Sequence, residues 1–377
     1  MRVLILTITT GQGHHAAGMS ISEALTARGA QVLTIDVYKE ISSLLYNGVN
    51  KGYLFSTKYV SKPYRSFYNH FERKGKSSDF SVFNLINLLI SNKFEEKIRS
   101  FNPDFIVCTH VFAAQLVNEL KRRGMYLDIP AMGIVTDYTI HPFWEDTSRV
   151  EYINLASNLF YHKAKTRGID KSRLLSFGIP VQEKFTISRS KKDARCILQI
   201  PEDKPVILLM GGSMGYGNMC DTVEQIEAFE DDFTLLVVCG RNSKQRRRIL
   251  DMHPNKNRYV YGFVDNVDVM MDAADCIITK PGGLTITEAM AKKLPMILVN
   301  PIPGQEERNV DFLVNNGVAL SVKKTFTVGD ALYFLFNTSG RLEAIRERFD
   351  AISNPNATND IADFIVNFKK AVNNDDN

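Results

Sequence analysis

The chain has 377 residues, 44% hydrophobic and 23% charged, a length that suits two domains better than one core. Its five cysteines are scattered and lack any C-x-x-C spacing, so they signal neither a disulfide framework nor a zinc site and fit a reducing cytosol. A net charge of +4 is too small to indicate nucleic acid, and no apolar run approaches the ~20 residues of a spanning helix.

The run Val3 to Ile8 meets Gly11 and His14 at once, which predicts a buried strand rather than a secretory leader. Short β-branched runs then alternate with helix-period segments, and this predicts an α/β class of parallel sheets with crossover helices. In the first half strands are expected near Val3–Thr9, Gln31–Ile35, Phe105–Thr109, Ala131–Thr136 and Leu174–Phe177. In the second they are expected near Val206–Met210, Leu235–Cys239, Tyr259–Phe263, Cys276–Thr279 and Met296–Val299. Gly178-Ile179-Pro180 and the basic stretch Ser188 to Lys192 break the rhythm. They place a linker over 184–200, between domains 1–183 and 201–356. The last helical segment has Ile361, Phe364, Ile365 and Phe368 on one face and must pack on something, with a frayed tail at 373–377. Between 51 and 76 seven aromatics interleave with seven cations against the single acid Glu72. That composition suits docking on an anionic membrane surface, and equally a helical insertion with aromatics inward.

The first glycine loop, Thr10 to Gly18, lies between a strand and a helix, so Gly13 and its neighbours are expected to face a ligand. It satisfies G-x-G-x-x-A, with Asp36 ending the second strand, so a dinucleotide-binding oxidoreductase is one reading. His14 and His15 point elsewhere: a titratable ring at a ligand-facing helix start suggests proton transfer, or a plain capping role, more so for His15. In the second half Lys280-Pro281-Gly282-Gly283-Leu284-Thr285 turns directly into a helix. The free N–H groups of Gly283, Leu284 and Thr285 make an anion site with the helix dipole. Glu288, one turn on, is placed to accept from a ribose diol, or serves as an ordinary first-turn acid. In a parallel sheet the loops Gly211-Gly212-Ser213-Met214-Gly215 and Asn300 to Asn309 reach the same edge. The latter carries Gln305 and Glu306, groups suited to sugar hydroxyls.

At these residues the sequence resembles the glycosyltransferase family of plant monogalactosyldiacylglycerol synthases and bacterial diacylglycerol glucosyltransferases, relatives of the peptidoglycan N-acetylglucosaminyltransferase. The likeness spans nearly the whole chain. It is carried by the amino-terminal G-x-G-H, by Val135-Thr136-Asp137-Tyr138 with His141 and Trp144, by Lys280-Pro281-Gly282-Gly283, and by Pro303-Gly304-Gln305-Glu306. The resemblance implies a GT-B fold: two Rossmann-like domains facing across a cleft, with the final helix crossing back to the first. It implies a UDP-glucose or UDP-galactose donor, a diacylglycerol acceptor and inversion at the anomeric carbon. Phe263 and Val264 would read uracil, Glu288 the ribose, Gly283 to Thr285 the pyrophosphate, and Gln305, Glu306 and Asn309 the sugar, with Arg241 bordering the nucleotide. Gln12 and His15 stand where plant members show glycine and arginine, and Gln305-Glu306 stands for the paired glutamines of the peptidoglycan enzyme.

Transfer from UDP needs a base, and His14 is the candidate, with Asp137 either its rival or its orienting partner. No D-x-D occurs in the chain, so no metal is expected and the helix start at Gly283–Thr285 takes the cation's place. The expected location is the cytoplasm, peripheral on the inner face of the membrane. The competing readings are a UDP-sugar epimerase, an NAD-dependent oxidoreductase and a non-catalytic UDP-sugar sensor.

Overall fold

The computed structural model describes residues 1–8, 12–41 and 92–372, and the chain divides into two compact units. The first comprises Met1–Gln182, Pro303–Gln305 and Asn354–Asn377, and the second Glu183–Ile302 and Glu306–Ser353. The basic-aromatic segment 51–76 and the tail 373–377 lie outside the described residues.

In the first unit the strands are β1 (Arg2–Thr7), β2 (Gln31–Asp36), β3 (Phe105–Cys108), β4 (Ala131–Ile134), β5 (Tyr152–Asn154) and β6 (Leu174–Leu175). They form one sheet in the order β2-β1-β3-β4-β5-β6, with every pair parallel. Val3 to Thr7 and all of β3 are buried. An unbroken apolar run of this kind suits a strand covered on both faces. The second unit repeats the plan with β7 (Val206–Met210), β8 (Thr234–Val238), β9 (Asn257–Tyr261), β10 (Cys276–Thr279), β11 (Met296–Leu298) and β12 (Ala319–Ser321). Its order is β12-β11-β10-β7-β8-β9, again all parallel.

Two strands, β5 and β12, were not expected from the sequence. Both are three residues long, and in β5 the polar Asn154 interrupts the apolar run. Its fully buried amide donates from Nδ2 to the Gly178 carbonyl at 2.8 Å and accepts from the Phe177 N–H at 2.9 Å. The stretch read as a linker, 184–200, contains a helix, Lys191–Leu198, inside the second unit. Ser190 caps it by accepting from the Asp193 N–H, and Arg195 anchors it to Asp275 at 2.8 Å.

The last helix, Ala357–Val372, packs on the first unit's core, which gives its apolar face the partner it required and agrees with the crossing that the resemblance implied. Ile361, Ala362 and Ile365 are fully buried with Val3, Ile5, Ile21, Leu25 and Phe105. Phe368 meets the Phe105 ring edge-on at 5.5 Å, and Phe364 meets Tyr152 at 5.0 Å. Thr358 closes the junction, donating to the Val181 carbonyl and accepting from its N–H.

Trp144, the chain's single tryptophan, is buried over Gly133 in β4. A Cβ at Gly133 would stand 2.3 Å from Trp144 Cζ3. Gly133→Ala is therefore expected to lower stability by about 1–3 kcal/mol, the usual cost of overpacking, and to shift tryptophan emission to the red. Unchanged emission and denaturation midpoint would refute this packing.

Candidate active-site elements

Because all strands of the first unit are parallel, the segments after β1, β3 and β4 open at one sheet edge. His14 stands there in the first turn of the helix Gly13–Ala27, whose N-cap Gln12 makes no side-chain cap bond. Its Nδ1 lies 2.9 Å from the Thr109 carbonyl and 2.8 Å from Thr136 Oγ1. A carbonyl only accepts, so this contact assigns the proton to Nδ1 and the basic lone pair to Nε2. Burial pushes the His14 pKa down to about 4, opposed in part by the Thr109 bond. Its ring is therefore neutral at physiological pH.

The orienting contacts on His14 Nδ1 thus come from Thr109 and Thr136, where a carboxylate from Asp137 had been one expectation. Asp137 Oδ2 accepts from Gln305 Nε2 at 2.7 Å, and both residues belong to the first unit. Asp36 accepts from the Lys39 N–H at 3.2 Å, which caps the short helix Val37–Ile41. The sequence reading overlooked His110, whose ring lies edge-on to His14 with centroids 4.5 Å apart. The signal was present: His110 directly follows the strand run Phe105–Thr109. Its Nδ1 accepts from the Phe112 N–H, so the neutral His110 ring carries its proton on Nε2, and His141 Nδ1 likewise accepts from the Phe143 N–H. Burial, followed by the charges of His14 and His141, holds the His110 pKa well below its ordinary value.

In the second unit five loops follow the C-terminal ends of β7 to β11. Two of them touch backbone to backbone, since Arg241 N–H donates to the Ser213 carbonyl at 2.9 Å. Glycine is required there: Gly215 has φ +58°, and its Cβ would stand 2.2 Å from the Cys239 carbonyl oxygen. Met214, Arg241 and Phe263 are exposed beside these turns, and the Arg241 guanidinium lies 5.2 Å from the Phe263 ring centroid. Val264 is half-buried next to them.

The turn after β10 leads into the helix Gly283–Ala291, whose N-cap Gly282 supplies no side-chain cap. Gly283 is buried, Leu284 and Thr285 are half-buried, and Glu288 follows one turn later. Burial pushes the half-buried Glu288 carboxyl up to about 8, and the nearby Lys184 charge opposes this only in part. Asn309 and Glu306 are placed behind the turn. Asn309 is fully buried and donates to the Pro281 carbonyl at 2.9 Å. Glu306 accepts from Lys280 Nζ at 2.5 Å and from the Ile302 N–H at 2.8 Å. All five cysteines are free thiols. Among the described residues no group of three or more His, Cys, Asp or Glu is arranged to hold a metal ion.

Twin all-parallel six-stranded sheets with crossover helices are the GT-B architecture. Solved structures of that fold superpose along nearly the full length. MurG from Acinetobacter baumannii covers 97% of this chain and 99% of its own at a TM-score of 0.65 and 16% identity. CalG4, the calicheamicin glycosyltransferase, covers 97% of each at 0.60 and 15%. The monogalactosyldiacylglycerol (MGDG) synthase family model matches residues 14–181, and the glycosyltransferase family 28 C-terminal domain matches 206–332. A processive diacylglycerol beta-glucosyltransferase of Bacillus pumilus is 27% identical over 97% of this chain and 94% of its own length. The chloroplastic monogalactosyldiacylglycerol synthase of Spinacia oleracea is 31% identical over 85% of this chain and 63% of its own. The chain belongs to this glycosyltransferase family and is an enzyme of it. The oxidoreductase reading of the first glycine loop is set aside accordingly.

If Glu288 holds a ribose diol with its two carboxylate oxygens, binding favours its ionised form. Uridine affinity is therefore expected to rise with pH through about 8 and to level off above it, while Glu288→Gln binds more weakly with no such rise. Calorimetry across this range decides it; a flat wild-type profile would remove Glu288 from the ribose.

Proposed function

We propose that the enzyme transfers a hexose, glucose or galactose, from a UDP-sugar to diacylglycerol with inversion, forming a membrane glycolipid. The carrying observation is the uncapped helix start at Gly283 to Thr285, with Glu288 one turn later. Its free N–H groups and positive dipole end suit a diphosphate, and the acid suits a ribose. Exposed Phe263, half-buried Val264 and nearby Arg241 suit the uracil end. Gln305 remains the candidate for the sugar hydroxyls. Support for the lipid acceptor comes from the relatives, named a diacylglycerol beta-glucosyltransferase and a monogalactosyldiacylglycerol synthase.

In the first unit His14 supplies the base. Its Nδ1–H is held by Thr109, so Nε2 takes the proton from the acceptor hydroxyl. As that oxygen bonds to the anomeric carbon, the carbon–oxygen bond to the diphosphate breaks and UDP leaves with the electron pair. Oriented N–H groups stabilise the leaving charge without a divalent cation. No described helix is long and apolar enough to cross a membrane. The cations and aromatics of 51–76 support peripheral docking on the anionic inner face.

Incubation with UDP-glucose or UDP-galactose and diacylglycerol should release UDP and yield a glycolipid identifiable by mass spectrometry. His14→Ala is expected to lower turnover roughly 10²- to 10⁴-fold with UDP affinity unchanged, and near-normal turnover would take His14 out of the role. Activity should also persist in EDTA; complete loss restored by magnesium or manganese would overturn the metal-free route.

A further inference from the structure

Lys280, the first residue after β10, is buttressed by contacts that the glycine turn alone does not require. Its ammonium lies 2.5 Å from Glu306 Oε1, and its side chain retains 22% exposure. Two glycines leave space for it. A Cβ at Gly212 would stand 3.1 Å from Lys280 Cε, and a Cβ at Gly282 would stand 3.0 Å from Lys280 Nζ. Gly212 has φ +69°, which by itself favours glycine, but Gly282 has an ordinary φ of −71°. The lysine's course thus runs against this turn, where its flexible end can yield by the few tenths of an ångström that a Cβ at 282 would need. It also brings a positive charge beside the first free N–H groups of the helix Gly283–Ala291. Glu306 is held independently of the lysine, because its Oε2 accepts from the Ile302 N–H at 2.8 Å. The carboxylate is thus a fixed post, while the ammonium rides on a flexible four-carbon stem.

We propose that Lys280 is the cationic contact for the diphosphate, pairing with its oxygens as the bond to the sugar breaks, and that Glu306 parks the ammonium when no nucleotide is bound. The proposal rests on the UDP-sugar assignment above and deepens it. A helix start offers partial charge and fixed N–H groups, whereas the leaving diphosphate gains a full charge during transfer. A mobile ammonium supplies the remainder, through charge-assisted bonds stronger than neutral ones. Glu306, expected from the sequence to hold sugar hydroxyls, becomes a positioning residue for this cation.

Calorimetry with UDP and with uridine separates the diphosphate contact from the nucleoside grip. Lys280→Met is expected to weaken UDP binding roughly 10- to 100-fold, the range for a lost charged hydrogen bond, with uridine affinity unchanged. Lys280→Arg should keep most of the UDP affinity. Equal UDP affinity in Lys280→Met and the wild type would overturn the proposal. Should Lys280→Met lose uridine as well, the wild-type protein decides: UDP, but not uridine, should shield Lys280 from an amine-acylating reagent, read by peptide mass spectrometry. Equal labelling with both ligands overturns the proposal. A wild type that binds neither UDP nor uridine removes the donor assignment itself, and the lysine's role with it.

Discussion

Every strand pair in both sheets is parallel, and that constraint governs where the chemistry lies. Parallel strands send all their C-terminal connections to one edge of a sheet. In the first unit this brings His14, Thr109 and Thr136 within hydrogen-bonding distance although they are far apart in sequence. In the second it presses the loops after β7 and β8 so close that Gly215 and Gly240 would each set a Cβ within 2.4 Å of a backbone oxygen. These glycines allow the close backbone approach of the two loops.

Within the first unit, burial and a carbonyl together decide what His14 does. The Thr109 carbonyl selects the tautomer, and desolvation keeps the ring neutral down to a pKa of about 4. This has a stability consequence of definite sign. The unfolded chain takes up the proton near the ordinary histidine value of about 6.5, while the folded chain resists until lower pH. Protonation therefore favours unfolding between these values, and His14 contributes no such penalty above them. His110 acts in the same direction: its Nδ1 caps the helix Val111–Arg122, so a neutral ring stands beside His14. The cluster is suited to accept a single proton, because a second positive charge 4.5 Å away would be repelled.

Much of this was legible in the sequence because the strongest signals were local. Short apolar runs marked ten strands, and the glycine turns after β7 and β10 marked connections at the C-terminal edge of the second sheet. The misses have physical causes. β5 and β12 are too short to establish a pattern, and β5 contains an asparagine whose polarity is satisfied by tertiary partners, the Gly178 carbonyl and the Phe177 N–H. Phe263 was read as a strand end, yet β9 stops at Tyr261 and leaves Phe263 56% exposed. The helix Lys191–Leu198 looked like linker because its cations find their acids far away in sequence, Lys191 and Arg195 both on Asp275. Composition shows a charge but not its partner. For the same reason the buried supports of the glycine turn, Asn309 on Pro281 and Glu306 on Lys280, were not visible from spacing.

Burial holds the key titratable group of each unit in its uncharged form. His14 is kept below its ordinary pKa and Glu288 above it. Such groups bind little until a ligand supplies a reason to change. In the proposed reaction that reason would be, for Glu288, a diol donating two hydrogen bonds and, for His14, a hydroxyl that becomes acidic as it attacks. The permanent charge is placed differently, at the helix start of Gly283 and on Lys280, where a diphosphate brings its own negative charge. In the proposed reaction His14 serves the acceptor, while the helix start of Gly283 and Lys280 serve the diphosphate.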